Sequence, residues 1–288
     1  MIPQVNMIIT HRCNLMCRHC YMDAGNIKED DKTILETAKK IVCKLKKYGV
    51  QRIMLTGGEC TISSNLIELL QFIKKKNITP MIFTNGFNFN EKILEYVDNY
   101  CLSIDGDKEY HNYLRQNERA YDNVVKTIKL LKLNNKNVKV QMTISHDSIE
   151  YISVVARTVY DLGVRQLNIG FMLNKGRYNN NHNVPIEKLN KLVEDTSRSL
   201  GYNIVIHTDV FNRFEMNSIA RRKGLTFPLW IDLVNNNCYY VDEKYGFPLN
   251  ELSKTAITKM NTNINNSIHK IKQKKFIVLE EELMNGGC

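Results

Sequence analysis

Six times between residues 5 and 200 a short apolar run gives way to an amphipathic stretch. The runs are "VNMIIT" (5–10), "RIMLT" (52–56), "PMIFTN" (80–85), "CLSID" (101–105), "VKVQMTIS" (138–145) and "QLNIGFM" (166–172). Their length and their β-branched and aromatic content mark buried strands. Between them, apolar residues recur at helical spacing. Ile34, Leu35, Ala38, Ile41, Val42 and Leu45 share one face before Gly49, and Leu66, Leu69, Leu70 and Ile73 share the next. Further helices are read through Ile93, Leu94 and Val97, through Val124, Val125, Ile128 and Leu131, through Ile152, Val155, Val159 and Leu162, and through Leu189, Leu192, Val193 and Leu200. Such alternation predicts an α/β fold, a partial (β/α)6 TIM-like barrel with helices outside a parallel sheet. The pattern weakens after Gly201. The division drawn is residues 1–205 as the barrel and 206–288 as a small C-terminal extension. After Gly201 "YNIVIHT" (202–208) reads as one more strand, and in the extension "CYYVDEKYGFPL" (238–249) reads as a hairpin turning at "DEK". The closing Gly-Gly-Cys reads as a flexible tail.

In a parallel barrel the chemistry collects at the C-terminal ends of the strands. Directly after the first strand stands "THRCNLMCRHCY" (10–21), which sets Cys13, Cys17 and Cys20 at C-x3-C-x2-C spacing. The start "MIPQVNMIIT" has neither a basic region nor a cleavage site, so a cytoplasmic protein is expected. In that setting 8 cysteines argue for metal or redox chemistry rather than a disulfide framework. Two readings of the trio stand. A zinc site wants four closed ligands, and His11 or His19 would have to complete one. An iron–sulfur cluster held by three thiolates leaves one iron open.

The trio resembles the cluster motif of the radical S-adenosylmethionine (radical SAM) superfamily, and further stretches carry the same resemblance. "TGGEC" (56–60) after the second strand is similar to the family's Gly-Gly-Glu motif, and "SIDG" (103–106) ends the fourth strand. "FTNG" (83–86) and the run from Ser103 to Leu131 look like the subgroup that modifies peptides and proteins (SPASM- or twitch-related). The resemblance implies a [4Fe–4S] cluster on Cys13, Cys17 and Cys20, with S-adenosyl-L-methionine on the open iron. It implies His19 near the adenine, and Gly57, Gly58 and Glu59 around the methionine ammonium, the glycines allowing close backbone approach. It places Ser103 at the ribose or methionyl part, and makes Arg115 and Lys126 candidates for the cofactor carboxylate. Thr143 joins the cofactor-binding set, although Gln141, Thr143 and Asn168 read equally well as pocket lining or as rim. The implied reaction is reductive cleavage of the cofactor to a 5′-deoxyadenosyl radical that takes hydrogen from a substrate. The implied partners are a flavodoxin or ferredoxin donor and a peptide substrate.

The formal charge of +10 also permits nucleic acid, but the basic residues are scattered along helices and not gathered in one arm. RNA or small-metabolite modification is therefore the alternative enzyme reading, and a zinc- or cluster-binding protein without catalysis is the other. No apolar run reaches the roughly 18 residues of a membrane span. The chain departs from the subgroup it resembles in two places. Where the hairpin of relatives carries a cysteine stands Leu249, and Cys238 and Cys288 are too few for a second cluster. The first strand also starts too early for a preceding leader-binding domain. A degenerate hairpin packed by Trp230, Tyr239, Val241, Tyr245 and Phe247 is expected. With one cluster, a redox-neutral outcome such as epimerisation gains weight, and Cys238 or Cys288 would return the hydrogen atom. Cys43 and Cys101 read as small core residues, and Cys60 as a neighbour of the cofactor turn.

Overall fold

The computed structural model describes residues 4–178, 184–208, 229–240 and 242–257. Each predicted strand forms within two residues of its expected bounds: β1 (Gln4–Ile8), β2 (Arg52–Thr56), β3 (Thr79–Thr84), β4 (Asn99–Ser103), β5 (Asn137–Ile144) and β6 (Gln166–Phe171). "YNIVIHT" supplies β7 (Val205–Thr208), parallel to β6. The helices are α1 (Asp31–Lys47), α2 (Leu66–Lys75), α3 (Lys108–Arg115), α4 (Ala120–Leu133), α5 (Ile152–Asp161) and α6 (Ile186–Ser199). The faces read from periodicity are those that bury. α1 turns Leu35, Ala38, Ile41, Val42 and Leu45 inward behind an Asp30 side-chain cap, and α2 turns in Leu66, Leu69, Leu70 and Ile73.

Two connections differ from expectation. After β3 the helix predicted through Ile93, Leu94 and Val97 is a short 3₁₀ helix, Glu91–Glu95, capped by the Asn90 side chain and separated from β4 at Asn99 by three residues. Between β4 and β5 there are two helices. α3, capped by the Asp107 carboxylate, stops where Gln116 takes a left-handed conformation at φ 52°.

The extension does not stand apart. β8 (Leu229–Asp232) pairs parallel with β1, on the edge opposite β2. β9 (Asn237–Tyr240) and β10 (Asp242–Pro248) form the expected antiparallel hairpin beside β8. The sheet order is β10-β9-β8-β1-β2-β3-β4-β5-β6-β7, an open barrel sheet with no break near residue 205. One hydrophobic core joins the strands to the surrounding helices and reaches Leu229, Ile231 and Cys238. Val241 lies outside the described residues, as do the side chains of Tyr239, Tyr245 and Phe247. Among the described residues no helix is long and apolar enough to cross a membrane.

Candidate active site

The loop after β1 is held from four directions. It closes on itself where Cys13 N–H donates to the Gly25 carbonyl at 3.0 Å and Gly25 N–H to the His11 carbonyl at 3.1 Å. From β2, Gly58 N–H reaches the Thr10 carbonyl at 2.8 Å and Glu59 N–H the Arg12 carbonyl at 2.9 Å. From α3, the Leu114 carbonyl accepts Arg18 N–H at 2.8 Å, and the Arg18 guanidinium lies 4.4 Å above the Tyr113 ring. From the segment after β6, Arg177 N–H bonds the Cys20 carbonyl at 3.0 Å. Loops are ordinarily the mobile part of a fold; this one is pinned by backbone contacts on every side.

That support explains the glycines differently from the sequence reading. A Cβ on Gly57 would stand 2.2 Å from the Thr10 carbonyl oxygen, and one on Gly58 2.3 Å from that of Arg12. Gly57 also sits at φ +151°. The glycines are needed first because the turn lies against the backbone that leads into Cys13. Both still line the cavity.

That cavity is about 430 Å³ and opens at the C-terminal ends of the strands. Cys13, Cys17, His19, Cys20, Gly57, Gly58, Glu59, Ser103, Arg115, Gln141 and Thr143 all line it. Glu59 is 1% exposed. Its Oε1 accepts from Thr61 N, Thr61 Oγ1 and Thr84 Oγ1, and its Oε2 from Asn85 N at 2.7 Å. Burial pushes its pKa up, and these four donors act against that rise. Asp105 accepts Arg115 Nε at 2.8 Å and Nη2 at 2.7 Å on one oxygen, and Thr143 N–H at 3.1 Å on the other. Burial works to raise the Asp105 carboxyl, but Arg115, with His19 and His111 nearby, outweighs it and holds the group at about 2. Arg115 is thereby fixed as a buried cation beside the cavity.

Among the described residues two predicted ones, Lys126 and Cys238, are not brought there. Lys126 is exposed on α4 and away from the cavity, because its position belongs to the helix's outer face. Cys238 is 0% exposed within the apolar core, opposite Ile231 and Phe247 in the sheet, and does not line the cavity. Cys288 lies outside the described residues. Asn168 faces Gln166 on β6 and is not a lining residue. Cys60 turns into the core, where its thiol meets the Leu55 and Phe83 carbonyls. Sequence reasoning passed over Asn85 and Asp105, although both stood inside quoted motifs. It had no signal for Arg177, which lines the cavity from the segment after β6; Trp230, expected only as packing for the hairpin, lines it from β8.

The sequence profile of the radical SAM superfamily matches residues 7–159. The chain belongs to the radical SAM superfamily. This family uses a [4Fe–4S] cluster and S-adenosylmethionine. The antilisterial bacteriocin subtilosin biosynthesis protein AlbA of Bacillus subtilis is 31% identical over 177 residues, covering 59% of this chain and 39% of AlbA. The Fe-coproporphyrin III synthase of Methanosarcina barkeri is 27% identical over 158 residues, covering 53% of this chain and 40% of the synthase. The match thus spans about two fifths of the length of each of these two relatives. Among solved structures, Streptococcus suis SuiB bound to the precursor peptide SuiA superposes with a TM-score of 0.68 at 17% identity, covering 83% of this chain and 59% of SuiB. That likeness shows the fold.

The residues present fit the family's cofactors. Among the described residues no three His, Cys, Asp or Glu side chains form a group that could hold a metal ion. A cluster with one thiolate per iron asks instead for sulfurs spread around it. Ala24 N–H points at Cys20 Sγ at 3.4 Å, the kind of contact that tunes ligand sulfur. His19 Nδ1 is buried without a hydrogen-bond partner, and burial holds this imidazole neutral with its pKa lowered to about 4. A buried polar atom left unpaired beside a cavity is what a bound polar ligand would satisfy.

Proposed function

We propose that the chain is an S-adenosylmethionine-dependent radical enzyme acting on a peptide. In this reading the division near residue 205 is one of function: residues 1–205 carry the cofactor site, and the later strands of the same sheet help wall the cavity. The observation that carries it is one cavity shared by Cys13, Cys17, Cys20, Gly57, Gly58, Glu59, Ser103 and Arg115, in a chain of this family. When bound, the cluster and cofactor supply a reductive cleavage to methionine and a 5′-deoxyadenosyl radical, which takes hydrogen from a substrate carbon.

The chain's own residues bind and orient. Cys13, Cys17 and Cys20 would hold the cluster, leaving one iron for the cofactor's amino and carboxylate groups. Glu59 Oε1 is saturated by three donors, so Oε2, with one, has a lone pair for the ammonium. Arg115 commits Nε and Nη2 to Asp105, which leaves Nη1 for the carboxylate. Ser103 is assigned to the ribose or methionyl part, His19 to the adenine side and Thr143 to the same pocket. A flavodoxin or ferredoxin would bring the electron, its acidity complementing the +10 chain.

AlbA is named for bacteriocin biosynthesis and SuiB is bound to a precursor peptide, and both support a peptide substrate. The match to Fe-coproporphyrin III synthase supports a second reading, a small metabolite. If the outcome is epimerisation, Cys288 is the remaining thiol proposed to return hydrogen, since Cys238 is buried in the core. The test is anaerobic reconstitution, followed by assay of 5′-deoxyadenosine with a chemical reductant. The chain should form it, and the Cys13→Ala/Cys17→Ala/Cys20→Ala variant should not; full cleavage by that variant would sink the assignment. A short precursor peptide encoded beside this chain should be altered in mass or chirality. Consumption of a tetrapyrrole or nucleotide instead would move the substrate to metabolites.

A further inference from the structure

Arg177 belongs to none of the motifs above, yet most of its polar contacts go to the cysteine loop. Its backbone N–H donates to the Cys20 carbonyl at 3.0 Å and its Nε to the Cys17 carbonyl at 2.8 Å. Its Nη1 reaches the Ala24 carbonyl and the Asp23 carboxylate, both at 2.8 Å. The residue before it is shaped to the same surface. Gly176 sits at φ +67°, and a Cβ there would stand 2.3 Å from the Cys20 carbonyl oxygen. The chain leaving β6 is therefore pressed against the backbone of two cysteines of the trio, while Arg177 also lines the cavity.

Two guanidinium groups flank the loop, and they are neutralised differently. Arg115 is paired with Asp105 in a buried ion pair, the carboxylate side chain being 0% exposed. The carboxylate partner of Arg177, Asp23, has a side chain 69% exposed, so water screens it. More of the Arg177 charge is thus left acting on the loop.

We propose that Arg177 is a positioning residue for the cluster, fixing the Cys17 and Cys20 backbone by hydrogen bonds and favouring the reduced cluster by its charge. The proposal rests on the reading of Cys13, Cys17 and Cys20 as cluster ligands. Reduction adds one electron, taken from an external donor, and no bond forms or breaks at Arg177. A nearby fixed cation lowers the energy of the more negative state, and cluster potentials follow local charge and hydrogen bonding.

The test is potentiometric titration of the reconstituted full chain, followed by electron paramagnetic resonance, with iron retention against a chelator measured alongside. Arg177→Gln should make reduction about tenfold less favourable, a midpoint about 59 mV more negative for one electron, and should lose iron faster. Arg177→Lys should recover most of the midpoint, because the charge returns, but not the iron retention, because the planar fork does not. Asp23→Asn should leave the midpoint within about 10 mV, because water already screens that carboxylate. An unchanged midpoint and unchanged iron retention in Arg177→Gln would overturn the proposal, and equal midpoint shifts in Gln and Lys variants would remove the role of charge. Should Arg177→Gln fail to hold any cluster, Arg177→Lys decides: iron retention equal to that of the unsubstituted chain contradicts the positioning role, and a midpoint about 59 mV more negative contradicts the role of charge. A chain that assembles no cluster without any substitution is a separate failure, that of the ligand assignment.

Discussion

Cys17 and Cys238 are both buried thiols, one in the loop after β1 and the other on β9, two strands away across β8. Acidity does not separate their regions. Burial pushes Cys13, beside Cys17, up to about 11 and Cys238 up to about 12. Placement does. The loop thiols line a cavity whose walls carry a buried carboxylate, a fixed guanidinium and the unpaired nitrogen of His19. Cys238 has Ile231 as its cross-strand neighbour in the apolar core. In the proposed reading a thiol becomes a ligand by standing past the C-terminal end of a strand, in a loop that backbone hydrogen bonds hold in place. Counting thiols in a sequence does not give that.

The comparison breaks most visibly by removing one thiol from each region. Cys17→Ala should abolish iron binding and cofactor cleavage. Cys238→Ala should keep both and cost on the order of 1 kcal/mol in urea unfolding, as for a small loss of buried volume. Iron loss in Cys238→Ala would join the two regions into one site.

The next effect is electrostatic. Asp105→Ala leaves the buried Arg115 charge unpaired and should destabilise by about 3–5 kcal/mol. The Asp105 carboxyl sits at about 2 against an ordinary 3.8, so its stabilisation is complete above 3.8 and is lost as pH falls towards 2. Acid unfolding followed by circular dichroism should therefore lose part of its dependence over that window in Asp105→Asn. An unaltered acid transition would mean that Arg115 is held by something else.

A smaller change sharpens the role of the glycines. Gly58→Ala forces a Cβ against the Arg12 carbonyl, so about 2–3 kcal/mol of strain is expected. Because that carbonyl immediately precedes Cys13, the variant should lose cluster as well as cofactor affinity. A fully assembled cluster with only cofactor binding weakened would restore the sequence reading, in which the glycine serves the ammonium alone. Smallest of all, Lys126→Ala should change neither cofactor affinity nor stability by more than about 0.5 kcal/mol, as expected of an exposed helix position.

The barrel was legible because each of its strands is a local apolar run and each long helix a local periodicity. The cysteine trio and the Gly-Gly-Glu turn were legible because their spacing is local too. What escaped depends on distant pairing. β8 joins β1 across more than two hundred residues of sequence, Val5 facing Leu229, and nothing in "LWID" announces its partner. Asp105 stood in a quoted motif, but its importance comes from Arg115 ten residues on, brought back by α3. Ile93, Leu94 and Val97 fit the α-helical period, yet Glu91–Glu95 is a short 3₁₀ helix; periodicity alone does not separate the two.

Iron and zinc analysis of the anaerobically reconstituted chain tests the central claim most directly. Three thiolates around one cavity predict about four irons per chain and no zinc, with the iron lost when Cys13, Cys17 and Cys20 are replaced together. One zinc per chain, or iron that survives the triple replacement, would contradict it.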